Sequence, residues 1–189
     1  MKRFKTLAAL ALVALMTRGA LAADAYSLDR SHSDVGFTVS HMMISKVRGA
    51  FRDYSVDLSI DPKDLSKSSV KATIKVASID TDNGDRDKHL LNPDFFDEAK
   101  YKTITFTSKK IEKRGTQWVA IGDFTMKGVT KNIELPFSFS GPIQDPWGKT
   151  RVGIEATLVI NRQDFGVSYG SGMVGDDVSI QIGLEATKN

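Results

Sequence analysis

From residue 35 to the C-terminus, apolar side chains recur at every second position in one short segment after another, which is the period of a β-strand. Val35, Phe37 and Val39 open the series, and Tyr54, Val56, Leu58 and Ile60 repeat it. Val70, Ala72, Ile74 and Val76 alternate with Lys71, Thr73 and Lys75, and Ile133, Leu135, Phe137 and Phe139 follow the same rule. Val152, Ile154, Ala156, Leu158 and Ile160 form another segment, and Val178, Ile180, Ile182, Leu184 and Ala186 form the last. With weaker alternation over Thr103 to Lys109 and Gln117 to Met126, the pattern predicts eight strands.

Turn residues fall between these segments at Asp61-Pro62, Arg114-Gly115, Lys127-Gly128, Gly141-Pro142 and Asp145-Pro146-Trp147-Gly148, so sequential antiparallel pairing is expected. The rhythm breaks once. Between Asp82 and Asp97, Asn83-Gly84 leads into a charged run ending at Leu90-Leu91 before Asn92-Pro93, and this predicts a short helical insertion with Leu90, Leu91, Phe95 and Phe96 packing on the sheet. Eight strands, each with one apolar face, predict an all-β fold: an eight-stranded antiparallel β-barrel whose interior is either packed by side chains or holds one small ligand. A β-sandwich suits the pattern less economically. No repeat, low-complexity tract or linker marks a second domain.

The N-terminus changes the picture of charge. Lys2, Arg3 and Lys5 precede an apolar run from Leu7 to Met16, and Ala20-Leu21-Ala22 follows with small outer residues, so residues 1–22 read as a cleavable signal peptide and 23–189 as the barrel domain. The apolar run is about half the roughly 20 residues that a membrane-spanning helix needs, so no stable membrane anchor is expected. Removing the segment takes away Lys2, Arg3, Lys5 and Arg18 with no acid, and the formal net charge goes from +3 to −1. A chain without cationic excess has no electrostatic footprint for nucleic acid, and export places it in the periplasm. Cys is absent, which closes disulfides, thiolate metal sites and Cys nucleophiles.

Three patterns hint at chemistry and fail on context. Gly166-Val167-Ser168-Tyr169-Gly170 spells a nucleophile elbow, but His32, His41 and His89 all precede Ser168, whereas that motif needs a later His and a strand–turn–helix. Asp80, Asp82, Asn83, Asp85 and Asp87 resemble a calcium loop, yet the glycine position falls on Asp85 and the bidentate glutamate position on Leu91. The three His lack paired metal-ligand spacing. His41 continues the parity of Val35, Phe37 and Val39 and is expected to point inward, as a core histidine or a ligand contact.

Three blocks together resemble the YceI-like family of bacterial periplasmic proteins. The first is His32-Ser33-Asp34-Val35-Gly36-Phe37-Thr38-Val39-Ser40-His41 with Val47-Arg48-Gly49-Ala50-Phe51. The second is Asn83-Gly84-Asp85-Arg86-Asp87-Lys88-His89-Leu90, with Phe95-Phe96-Asp97 and Phe106-Thr107-Ser108 beyond it. The third is Gly122-Asp123-Phe124-Thr125-Met126-Lys127-Gly128-Val129-Thr130-Lys131, followed by Asp145-Pro146-Trp147-Gly148 and Asn161-Arg162-Gln163-Asp164-Phe165-Gly166. The resemblance implies a lipocalin-like barrel with a long apolar pore that takes a polyisoprenoid, such as a prenyl diphosphate or a quinone tail, or another long-chain amphiphile. It implies a non-enzymatic role in lipid transport, sequestration or stress response, without cofactor or metal, and leaves homodimer formation open.

On this reading the pore is lined by Val35, Phe37, Val39, Val56, Leu58, Ile74, Val76, Phe137, Ile154, Leu158, Ile180 and Ile182, with His41, Arg86 and His89 as head-group candidates beside Lys88. From Asp80 to Lys88 four acids face Arg86 and Lys88, so the local charge favours a neutral head such as a quinone over a diphosphate. Two rivals stay open. An outer-membrane barrel shares the alternation, although paired aromatic girdles and a terminal aromatic are missing. An enzyme acting on an isoprenoid or lipid intermediate would need a positioned acid, base or nucleophile in the pore, and His41 is the one inward ionisable residue that parity names.

Overall fold

The computed structural model describes residues 23–189; the signal peptide expected at 1–22 lies outside them. Among the described residues, ten strand segments and one α-helix follow in chain order: β1 (Asp24–His41), β2 (Ser45–Phe51), β3 (Tyr54–Ile60), β4 (Ser69–Lys75), β5 (Ile79–Asp80), α1 (Gly84–Leu91), β6 (Thr103–Arg114), β7 (Gln117–Met126), β8 (Val129–Gln144), β9 (Thr150–Asn161) and β10 (Val174–Lys188). All pairings are antiparallel, and β10 returns to pair with β1, so the sheet closes. The far half of β1 pairs with β2 and its first residues with β3, while β5 pairs with β2 and β4 with β3. Thus β2–β3 is one barrel strand broken at Arg52-Asp53, and β4–β5 is one broken by the 3-10 turn Val76–Ser78. The ten segments therefore make the eight-stranded antiparallel barrel that the pattern predicts.

Hydrogen bonds stitch the two breaks together, Arg52 donating to the Ser78 carbonyl at 3.0 Å and Lys75 to the Asp53 carbonyl at 2.9 Å. The first half of the β2–β3 strand escapes the alternation pattern because Lys46, Arg48, Gly49 and Ala50 offer few large apolar residues. Gly49 is required where it stands. A Cβ there would lie 2.5 Å from the ring of Phe37, its cross-strand partner, which packs over the bare backbone and reaches Phe51 at 5.8 Å.

Alternation places apolar side chains inside and polar ones outside. In β9, Ala156 and Ile160 are buried and Ile154 and Leu158 half-buried, while Glu155, Thr157 and Asn161 are exposed. The helical insertion is where the Asn-Gly signal predicts it: the Asn83 side chain caps α1 by accepting from the Arg86 amide at 3.0 Å, with Asp85 and Asp87 in the first turn and Lys88 and His89 in the last. Acids at the start and the Lys88 cation at the end complement the helix dipole. The helix is tied to the sheet through buried Thr81, whose amide and hydroxyl both donate to Asp87 Oδ1.

The meander places the β1–β2 hairpin, the α1 segment, the β7–β8 turn and the 162–173 loop at one end of the barrel. The first and last described residues and the 61–68, 115–116 and 145–149 connections lie at the other.

Candidate functional site

Two apolar cavities occupy the barrel interior and share Val35, so they run end to end along its axis. Their volumes are about 100 Å³ and about 110 Å³. One water needs roughly 10–15 Å³ of such space, so the side chains of the opposing walls leave the core open rather than close-packed. The first cavity lies toward the end of the barrel that carries the 61–68 connection, between Val56, Leu58, Ala72, Ile74, Phe137, Ile154 and Ile182, with Leu65 beneath it. The second lies under α1 and the 162–173 loop, between Phe37, Val39, Phe95, Phe96, Phe124, Val167, Val174 and Ile180. The polar side chains on these walls are Tyr54, Ser68 and Ser69 in the first and Arg162 in the second.

Strand parity therefore brings together Val35, Phe37, Val39, Val56, Leu58, Ile74, Phe137, Ile154, Ile180 and Ile182 around the cavities. Leu158 shares the inner face of β9 and packs on the core without bordering either cavity. Val76 differs from its expected place: the strand ends before it, and in the 3-10 turn it is buried in the same core cluster without bordering either cavity.

The head-group candidates move further. His41 keeps the inner-face parity along β1, but it is the last residue of the strand and stands exposed at the barrel lip. Arg86 lies outside the pore wall, its Nε donating to the Thr81 hydroxyl at 2.7 Å and its Nη2 to the Thr81 carbonyl at 2.5 Å. His89 pairs with Asp94 at 3.2 Å and meets the ring of Phe95 edge-on at 5.1 Å, so it braces the cap over the second cavity. Lys88, at the side of α1, faces Asp85 at 3.7 Å in solvent.

The charged residue on the cavity wall is Arg162, 4% exposed. Its Nε donates to the Gly175 carbonyl at 2.9 Å, Nη1 to the carbonyls of Val167 at 2.6 Å and Tyr169 at 2.9 Å, and Nη2 to the Val174 carbonyl at 3.0 Å and Asp176 at 3.3 Å. An arginine has five N–H donors, and all five are engaged. Arg162 thus staples the 162–173 loop to β10 and has no donor left for a ligand. Parity could have found it, since Arg162 follows Ile160 by two.

Lys127 closes the same end, its ammonium donating to the carbonyls of Pro93 at 3.1 Å and Gly166 at 2.9 Å, and burial pushes it below the ordinary lysine value. At the opposite end Arg151 bridges Asp29 at 2.6 Å, Glu185 at 2.9 Å and Asp145 at 3.3 Å. Asp29, His32 and Glu185 come close enough to share a cation, but the Arg151 guanidinium already bridges the two carboxylates.

The chain matches the YceI-like domain over residues 26–186. It is 35% identical over 187 residues to Protein YceI of Escherichia coli O157:H7, covering 97% of this chain and 98% of that one. Among solved structures, Burkholderia cenocepacia BcnA superposes with a TM-score of 0.78 at 26% identity, over 85% of this chain and 100% of that one. A polyisoprenoid binding domain from Saccharophagus degradans, implicated in plant cell wall breakdown, shares the fold with a TM-score of 0.67 at 16% identity, over 88% and 99% of the two chains. A closed barrel with an unfilled apolar axis, matched along nearly its whole length by these proteins, makes this chain a member of the YceI-like family.

Proposed function

We propose that this protein binds the chain of a long isoprenoid lipid along the barrel axis and carries or sequesters it in the periplasm, after export directed by residues 1–22. The observation that carries this reading is the pair of end-to-end cavities walled almost wholly by apolar side chains. The binding named for the Saccharophagus degradans domain supports the same ligand class for this barrel.

Burial alone supplies the affinity. Each methylene contributes about 0.8 kcal/mol, so a five-carbon unit offers roughly 3–4 kcal/mol. Association costs about 4–15 kcal/mol, so several units are needed before binding is net favourable. Affinity should therefore climb with prenyl chain length. A neutral head such as a quinone suits the site, because Arg162 has no free donor and Arg86 is engaged with Thr81 outside the wall.

Distribution of polarity argues against the rival readings. An outer-membrane barrel presents its apolar band outward, whereas here Lys71, Lys75, Glu155 and Thr157 face out and the apolar rows face in. An enzyme needs an ionisable group poised to act at the pore, and His41 stands at the lip, Arg162 is fully bonded, and burial holds the Tyr54 phenol of the first cavity above its ordinary value. The test is mass spectrometry of protein taken from its native compartment without detergent, intact and then after solvent extraction. A stoichiometric isoprenoid quinone or prenyl lipid is expected; an empty barrel that takes up no added polyisoprenoid overturns the proposal.

A further inference from the structure

The tip of the β1–β2 hairpin exposes Met42, Met43 and Ile44 to 52%, 94% and 85%. Met173, 53% exposed, lies beside them, with the Met42 amide donating to its carbonyl at 2.6 Å. These residues form one apolar lip on water. The backbone makes the lip more unusual. Both central residues of the His41–Ile44 turn have positive φ, +50° at Met42 and +59° at Met43, the left-handed conformation that Asn and Gly favour in hairpin turns. Two large side chains are thus held in a conformation that disfavours them, with no burial in return, so stability of the fold does not account for them.

Charge selects the partner. Lys46 and Arg48 stand exposed on β2 just behind the tip, neither is in an ion pair among the described residues, and no acid occurs between Asp34 and Asp53. On the adjoining strand, Asp176 is engaged by Arg162 and Gln163, and Asp177 is exposed. Two copies meeting tip to tip would bring the cations of both hairpins together. An apolar tip backed by unpaired cations instead matches an anionic bilayer, whose interior takes the thioethers and whose phosphates meet Lys46 and Arg48.

We propose that this hairpin docks the barrel onto an anionic phospholipid surface. Docked this way, the barrel presents to the bilayer the end that holds its second cavity, bordered by Val39 and Val174 beside the tip. The inference rests on the hairpin and is independent of which cargo the barrel holds.

The test is cosedimentation with vesicles of phosphatidylglycerol mixed with phosphatidylcholine, against phosphatidylcholine alone. Wild type should bind the anionic vesicles more strongly, and less so as salt rises. Met42→Asn with Met43→Gly gives the turn residues it prefers, so the thermal midpoint should hold or rise while vesicle binding falls about tenfold or more. Lys46→Glu with Arg48→Glu should remove the preference for phosphatidylglycerol. Absence of wild-type binding, or undiminished binding by the Asn-Gly variant, overturns the proposal. So does a concentration-dependent dimer abolished by that variant, which would assign the tip to a second copy.

Discussion

The rings of His89 and Tyr169 meet edge to face, centroids 5.1 Å apart at 74°, and join α1 to the 162–173 loop across the mouth of the second cavity. Phe95 completes the cluster, 5.1 Å from His89 and 5.2 Å from Tyr169. This cluster latches the two segments that cover one end of the barrel.

Removing the latch should change exchange more than affinity. Tyr169→Ala deletes two aromatic contacts worth about 0.5–1.5 kcal/mol each, so release of a fluorescent isoprenoid analogue in stopped flow should speed up by about tenfold. An unchanged rate would mean that lipid passes elsewhere.

Arg162→Met keeps the length of the side chain but strands the carbonyls of Val167, Tyr169, Val174 and Gly175. Urea unfolding should report a loss of roughly 3–5 kcal/mol. Arg162→Lys should recover only part of it, since an ammonium has three donors. Full recovery by lysine would sink the account of the arginine as a five-bond staple.

Ala72 borders the first cavity and is only half-buried by its neighbours. Ala72→Phe should fill that space, lowering affinity for long polyisoprenoids about tenfold while leaving the empty barrel at least as stable. Retained affinity for long chains, measured by titration, would show that the cargo does not use this cavity.

Asp29 predicts a pH dependence. Hydrogen bonds from Ser31, then Arg151, then His32 hold its carboxyl well below the usual carboxylate range. Because the folded value is depressed, this contribution to stability is present above the unfolded value near pH 4 and is lost as pH falls below it. Asp29→Asn should therefore flatten the loss of stability between about pH 4 and pH 2 in acid titrations followed by circular dichroism. Equal slopes for variant and wild type would count against it.

Much of the barrel was legible along the chain. Where alternation is regular, as from Val152 to Ile160, a period of two assigns the inner face without further information. The pattern faltered where the backbone departs from that period. In β6 the register slips between Ser108 and Lys110, so Phe106 and Ile111, of opposite parity, are both buried. Gly122 faces that bulge, and a Cβ there would fall 2.2 Å from the Thr107 carbonyl oxygen. Val76 continues the parity of a strand that ends one residue earlier, because an apolar residue at the right spacing looks the same in a strand and in the turn that follows it.

What the sequence determined by itself was the number of strands, their antiparallel order, the apolar sign of the interior and the place of the helix cap at Asn83, all consequences of local periodicity and turn chemistry. Only the tertiary structure decided that the interior is open, because alternation says which side chains point inward and not whether those from opposite walls meet. It also decided the fate of the polar candidates. His41 is the last residue of its strand and stands exposed at the barrel lip, and Arg86, His89 and Arg162 are engaged by Thr81, Asp94 and the carbonyls of the 162–173 loop and β10. Those partners lie close along the chain, Thr81 and Asp94 each five residues from Arg86 and His89, but they sit in turns and loops without a two-residue period, so which donor meets which acceptor is fixed only when the backbone of those segments is folded against the barrel.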